Sequence, residues 1–289
     1  MAKKFRSKKG AERTANAVIY IVLIIISVIW LFPFFYLVLQ SLRGESGAAT
    51  LYFWPHQWTF DNYIKLFTDT SKFNFLRWYG TTLAISVVVT VLQTTIVLIT
   101  SYALSRLRFK LRKPLMNLIL VLGMFPGFMS MTAVYFILKL IGLTQDMGLV
   151  GLIVVYVASS CMGYYICKGF FDTIPKSLDE AARIDGANRQ TVFFKIILPL
   201  AKPIIIYTVL TSFMAPWGEF MFASLIMNGN QKYFNVAVGL KEMLERENRQ
   251  EYFTRFCAAS VLISIPITAL FFWLQKYYVQ GVTGGSVKG

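Results

Sequence analysis

Charge is scarce in this sequence, and acids are scarcest. Only 15% of the 289 residues are Asp, Glu, Lys or Arg, and just 14 are acidic. A soluble domain carries about a quarter charged residues. There is one histidine, His56, and there are three cysteines, Cys161, Cys167 and Cys257, none in a CxxC pair. No metal-ligand cluster is expected from such a set, and the cysteines read as small apolar packing residues that say nothing about redox compartment. A G-x-x-x-x-G-K-[ST] phosphate loop is also missing, which excludes ATP hydrolysis by that route. An integral membrane enzyme needs clustered His, Asp, Glu or Ser near its spans, and a single histidine does not furnish that. No fixed-period repeat and no low-complexity linker divide the chain.

What the sequence has in quantity is apolar residues, 56% of the total, with a mean hydropathy of +0.57. They fall in runs of about twenty or more, the length a helix needs to cross roughly 30 Å of hydrocarbon. Six spans are expected, at Ala17–Leu39, Trp78–Leu104, Pro114–Leu140, Gly148–Cys167, Pro203–Met227 and Phe256–Tyr278. The first follows a basic stretch from Lys3 to Lys9, but its 23 uncharged residues exceed the roughly 7–15 of a signal peptide, so it reads as a retained span. The expected fold is therefore an all-α membrane protein of six transmembrane helices.

The net charge of +15 raises the question of nucleic acid. Basic residues here sit in short segments flanking apolar runs, where a nucleic-acid binder would carry one continuous stripe. No nucleic-acid partner is expected. The charges instead set orientation. With the N-terminus inside, segments 1–16, 105–113, 168–202 and 276–289 hold 6, 5, 6 and 2 basic residues, 19 of the chain's 29. Arg106–Lys113 alone has five basic residues and no acid. The positive-inside rule thus places both termini in the cytoplasm. The division expected is a basic cytoplasmic segment 1–16, a six-span domain 17–278 containing the cytoplasmic loop 168–202, and a cytoplasmic tail 279–289.

Two outer segments are longer than turns. In residues 43–77, Thr59 or Asp61 is placed to start a short interfacial helix through Phe67, with His56 an exposed loop residue. In residues 228–255, the mixed charges of Lys241–Glu247 read as a solvated helix, or equally as one that contacts a partner.

The cytoplasmic loop is the most specific stretch. Ser177 with Glu180 makes a capping-box pattern, and Leu178, Ala181, Ala182, Ile184 and Asp185 form a small face on a two-turn helix. Gly186 suits a left-handed terminus, Asn188 suits the start of a second helix, and Pro199 and Pro203 break it before the fifth span. Such a short helix is marginal alone and needs something to pack against. On residues alone, an amphipathic loop lying on the membrane surface is the other reading.

The string Glu180-Ala181-Ala182, three residues, Gly186, nine residues, Ile196-x-Leu198-Pro199 resembles the EAA signature of ABC importer permeases. Phe60–Tyr63, Met124–Gly127 and Gly169-Phe170-Phe171 before Ile174-Pro175 resemble segments of carbohydrate permeases. Trp217–Phe220, Val236–Leu240 and the tail Gly281–Gly289 resemble the MalG-type, maltose/maltodextrin-like branch. The resemblance implies a type I importer permease fold in the bacterial cytoplasmic membrane, working by alternating access. It implies a coupling helix, with Glu180, Ala181, Ala182, Asp185, Gly186, Leu198 and Pro199 facing an ATPase. It further implies a larger homologous permease, two cytoplasmic ATPase subunits that hold ATP and Mg, an extracytoplasmic sugar-binding protein and an oligosaccharide cargo, with malto-oligosaccharides the leading choice. No cofactor is expected on this chain. A self-sufficient secondary transporter or channel, or a permease for another solute, is the alternative. The former would want several intramembrane acids and a repeat-related half.

Glu219 is the only acid within an expected span, and an acid in a span usually faces a cavity or partner. Pro216 and Gly218 beside it point to a broken helix. Two roles stand open: Trp217 and Glu219 bordering the sugar path, the indole stacking on a sugar and the carboxylate accepting hydroxyls, or Glu219 satisfying backbone or partner-chain groups. Tyr156, Tyr164 and Phe213 are further path candidates, although aromatic residues in spans ordinarily pack.

Overall fold

The computed structural model describes residues 2–45, 47, 52–227 and 229–284. The chain divides into two units, one of Met1–Thr68 with Met243–Leu262 and one of Asp69–Glu242 with Ile263–Gly289. Among the described residues the structure is helical, with a single isolated β-bridge, Arg43 to Trp58. Four helices are long and apolar enough to cross a membrane, and six spans result if each of two bent pairs counts as one.

In the first unit, α1 (Ala2–Ser41) is a continuous helix of 40 residues that absorbs the expected N-terminal segment. After it, the expected loop is a knot of backbone hydrogen bonds. The buried Arg43 donates through Nη2 to the carbonyls of Phe53 (2.6 Å) and Tyr52 (3.2 Å). Glu45 accepts from the N–H groups of His56 and Gln57. Burial acts to raise the Glu45 pKa, but these amides and nearby Arg43 outweigh it and hold the carboxyl below its usual value. His56 is exposed, as expected, and stacks on Tyr52. The short interfacial helix is α2 (Asp61–Thr68), whose first N–H bonds the Thr59 hydroxyl. Asn62 on α2 donates to the carbonyls of Ser41 and Arg43 and accepts from Thr254.

In the second unit, α3 (Phe75–Arg106) is the second span, capped by the Asn74 side chain on the Arg77 N–H. The third expected span is corrected. It is two helices, α4 (Arg112–Met124) and α5 (Gly127–Leu140), bent by 103° at their junction. Pro126 has no N–H to donate and pushes Phe125 into extended backbone, ψ 128°. The Phe-Pro-Gly run that resembles a carbohydrate-permease segment thus acts here by breaking the helix. The fourth span is α6 (Gly148–Ala158) followed by α7 (Cys161–Thr173), interrupted at Ser159-Ser160.

The cytoplasmic segment expected between the fourth and fifth spans forms α8 (Lys176–Ile184) and α9 (Arg189–Leu200). The fifth span proper is α10 (Lys202–Gly218), bent by 81° from α9, with Pro203 in its first turn. A break at Glu219-Phe220 separates it from α11 (Met221–Met227), as Pro216 and Gly218 indicated. The expected solvated helix at Lys241–Glu247 is corrected as well. The helix there is α12 (Val236–Met243); its Val236 and Val238 are fully buried, and the charged run straddles its end. The last helix, α13 (Arg249–Gly284), continues past the expected end at Tyr278. The remainder of the tail, 285–289, and Asn228 lie outside the described residues.

Candidate functional site

The candidate site is α8 and its support. Pro175, in extended backbone, ends the run from α7 and precedes α8, and no side chain caps the helix. The Ser177–Glu180 capping box is therefore not formed. The helix starts earlier than the pattern implied, because Lys176 follows the proline directly and Ser177 is already inside the first turn. Asp179 supplies the favourable first-turn acid instead. The other end matches expectation: Gly186 has φ +85°, its N–H reaches the Arg183 carbonyl at 3.0 Å, and the Ala187 N–H reaches Ala182 at 2.9 Å. This is a Schellman ending, which needs a residue at ease in the left-handed region. The Asn188 side chain then accepts from the Thr191 N–H at 2.8 Å and starts α9.

One side of α8 is held by its own chain. Ala182 packs into a core of Val97, Leu98, Tyr102, Phe171, Val192 and Ile197, which binds α3, α7, α9 and α10 together. Asp179 is buried and faces Arg106, with Nε to Oδ2 at 3.3 Å and the two side chains 1% and 7% exposed. The guanidinium also donates through Nη2 to the Ile174 carbonyl at 2.8 Å. The pair is an electrostatic contact rather than an aligned hydrogen bond, since Arg106 Nε has no bonded acceptor. Neither residue stood out in the sequence: Arg106 was one of five cations in a loop, and Asp179 one of three acids in a helical segment.

The opposite side of α8 is uncovered. Ile184 is 87% and Leu178 40% exposed, and Glu180, Ala181, Asp185 and Gly186 are exposed with them. The expected face therefore splits, with Ala182 turned inward and the others outward. Within α9, residues Val192–Ile197 take a π-type backbone, and Val192, Phe193 and Ile197 are buried. Leu198 packs at the edge of the core and Pro199 is exposed.

The structure brings four of the five expected path residues to the end of α10. Trp217 is buried at 4% exposure, with Tyr79 edge-on at 5.3 Å and Phe213 at 6.0 Å. Both Glu219 oxygens cap α11: Oε1 accepts from the Phe222 N–H (2.7 Å) and Oε2 from the Ala223 N–H (3.0 Å). The Tyr156 hydroxyl is buried near Glu219. Glu219 thus satisfies two backbone N–H groups, and Trp217 is buried among aromatic rings. Tyr164 stands apart, packed on the core under α8.

A cleft of mixed lining that the sequence reading missed, with hydroxyl and amide groups set among apolar Val97, Met162, Ile166 and Ala215, lies between α3, α7 and α10. It measures about 200 Å³ and is lined by Gln93, Ser160, Tyr207, Thr208, Thr211 and Ser212 among others. Gln93 donates to Ser160 Oγ (2.8 Å) and to the Tyr156 carbonyl (3.0 Å), while its own Oε1 is buried without a partner. The lone amide at mid-span was the available signal.

Residues 96–284 match the family described as binding-protein-dependent transport system inner membrane component. The chain is 35% identical over 271 residues to the maltodextrin transport system permease protein MdxG of Bacillus subtilis, covering 93% of this chain and 95% of that one. It is 34% identical over 271 residues to the galactooligosaccharides transport system permease protein GanQ of the same organism, covering 93% and 94%. Among solved structures it is similar to a chain of a bacterial ABC transporter involved in the import of the acidic polysaccharide alginate. The TM-score there is 0.77 at 24% identity, over 93% of this chain and 98% of that one, a likeness of fold. A family match over well over half the chain, joined to apolar helices enough for up to six spans, settles the class: this chain belongs to the binding-protein-dependent transport system inner membrane components, a family of multi-pass ABC importer permeases.

Proposed function

We propose that the chain forms half of the translocation path of an ATP-driven oligosaccharide importer, with malto-oligosaccharides the leading cargo. Support comes above all from the two-sided character of α8. Its inner side is fixed to the spans by Ala182 and the Arg106–Asp179 pair, and its outer side offers Ile184, Leu178 and Ala181 with nothing over them. A helix of nine residues with that much uncovered apolar surface is built to be clasped by another protein. The partner is a cytoplasmic ATPase holding ATP and Mg, one of two. Its closure pushes on α8, and the buried pair carries that movement into α3.

The remaining parts follow from that reading. A larger homologous permease supplies the other half of the path, and an extracytoplasmic binding protein delivers the sugar. The cleft is uncharged, with the hydroxyl and amide groups of Gln93, Ser160, Thr208, Thr211 and Ser212 set among Val97, Met162, Ile166 and Ala215, which suits a neutral sugar with both hydroxyls and apolar C–H faces. Its volume is small for an oligosaccharide, as a half-site would be. Both termini and the segments 105–113 and 168–202 lie in the cytoplasm by the distribution of basic residues. The test is purification with the co-encoded chains, followed by ATPase assay with binding protein loaded from a panel of oligosaccharides. Stimulation by malto-oligosaccharides is expected. Stimulation only by galacto-oligosaccharides or a non-sugar would replace the cargo, and failure to co-purify any ATPase would remove the coupling role.

A further inference from the structure

The groove between α4 and α7 meets the surroundings of α8 only through Arg112, which also lines a cavity with Asp179 and Glu180, and it is built with a sharp gradient of chemistry. A cavity of about 490 Å³ there is lined by Arg112, Lys113, Met116, Asn117, Leu120, Tyr165 and Lys168. At one end stand three cations. Lys168 is paired with Asp172 at 2.5 Å, and Asp172 also accepts from Ser105 and is drawn on electrostatically by Arg112. Asp172 thus answers both Lys168 and Arg112, and Lys113 adds a third positive charge to the same lining. Among the described residues neither Arg112 nor Lys113 has a carboxylate in ion-pair distance.

The backbone sharpens this imbalance. Arg112 and Lys113 occupy the first turn of α4, which has no acid in that turn and no capping side chain. A helix N-terminus carries about half a positive charge, so cations placed there are unfavourable and an anion would offset both. Away from the charged end the groove turns apolar. Arg112, Met116 and Leu120 repeat every fourth residue and form one half-buried stripe. It rises about 12 Å from the guanidinium into the span. Nothing on α4 is fully buried, and Leu118, Val121 and Leu122 are more than half exposed, so this helix meets its surroundings directly.

We propose that this groove binds an anionic phospholipid. The phosphate sits among Arg112, Lys113, Lys168 and the start of α4, and an acyl chain runs along Met116, Leu120 and the Tyr165 ring. A soluble oxyanion would use the charged end alone and leave the apolar stripe without purpose. The stripe and the cations together fit a molecule that is charged at one end and apolar for the rest of its length. That the lipid belongs to the cytoplasmic leaflet rests on the orientation proposed above; the binding itself does not.

The test uses the full transporter, purified with its partner chains, stripped of lipid in detergent and titrated with phosphatidylglycerol or phosphatidylcholine. Retained lipid is read by native mass spectrometry. Phosphatidylglycerol is expected to be held selectively, and the double change Arg112→Gln with Lys113→Gln to weaken it by about 30-fold, the order two basic residues supply at an anionic surface. Leu120→Asn is expected to weaken the lipid but not inorganic phosphate. Equal retention of both lipids, unchanged retention in the double variant, or displacement of the lipid by millimolar inorganic phosphate would each overturn the proposal. Because Arg112 also lines a cavity with α8, the single change Lys113→Gln, which lies off that cavity, separates the two: weakened lipid binding with intact ATPase docking keeps this result apart from the coupling role.

Discussion

Arg106, the last residue of α3, and Asp179, in the first turn of α8, form a buried ion pair with Nε 3.3 Å from Oδ2. Removing one member of a buried pair leaves an uncompensated charge and costs about 3–5 kcal/mol, whereas replacing both by apolar residues is often tolerated. Asp179→Ala is therefore expected to lower the thermal midpoint of the purified complex and to break the dependence of ATPase rate on loaded binding protein. The double change Arg106→Met with Asp179→Leu is expected to recover much of the midpoint while the coupling defect remains. Recovery of both would mean that the pair serves packing alone.

The outer side of α8 makes a separate forecast. Gly186 has open space where a Cβ would stand, so its substitution is penalised through the +85° φ alone. Gly186→Ala is expected to cost about 1–2 kcal/mol at the helix end, and Gly186→Pro, which cannot adopt positive φ, to disorganise the turn. Glu180→Lys and Ile184→Asp change only exposed positions and should leave the permease folded. All except the alanine variant are expected to uncouple ATP hydrolysis from uptake, with Ile184→Asp also reducing co-purification of the ATPase. Normal uptake in Gly186→Pro and Glu180→Lys together would sink the coupling assignment.

Gly239 gives a prediction about the fold of the second unit. A Cβ at Gly239 would lie 2.1 Å from Cε3 of Trp78, against an indole that is itself 1% exposed. The same junction is tied by the Val236 N–H to Thr82 Oγ1 at 2.8 Å, so neither helix is placed to withdraw. Gly239→Ala is expected to cost at least the roughly 1–3 kcal/mol of ordinary overpacking, read as a lowered thermal midpoint and a reduced detergent-stable yield. Trp78→Leu in the same background, by vacating the indole's place, is expected to restore part of it. An alanine variant with unchanged yield and midpoint would contradict this close packing.

These cases also show what a sequence discloses. The spans were legible because lipid demands long apolar runs, and the end of α8 because only glycine sits easily at φ +85°. The break at Phe125-Pro126 was hidden inside an unbroken apolar run, since hydropathy does not register a missing N–H. The capping box failed for a related reason: Pro175 fixed the start of the helix before Ser177 could. Arg106 and Asp179 lie 73 positions apart, and their pairing depends on how α3, α7 and α8 pack. Glu219 was visible as an anomaly, but its two backbone donors come from a helix that begins only after the break.

Glu219 supplies the last test, because its geometry separates two roles that the sequence left open. Each carboxylate oxygen accepts one N–H at the start of α11, and the Glu219 carbonyl accepts from Asn235 at 2.8 Å. A glutamine keeps one acceptor and loses the charge that favours a helix N-terminus, so Glu219→Gln is expected to destabilise by about 1 kcal/mol. Glu219→Ala removes both acceptors and should cost about twice that. Uptake and sugar-stimulated ATPase in Glu219→Gln are expected to stay near normal once corrected for the amount of folded protein. A large rise in the sugar concentration needed for half-maximal uptake, at an unaltered thermal midpoint, would return Glu219 to the translocation path and set its capping role aside.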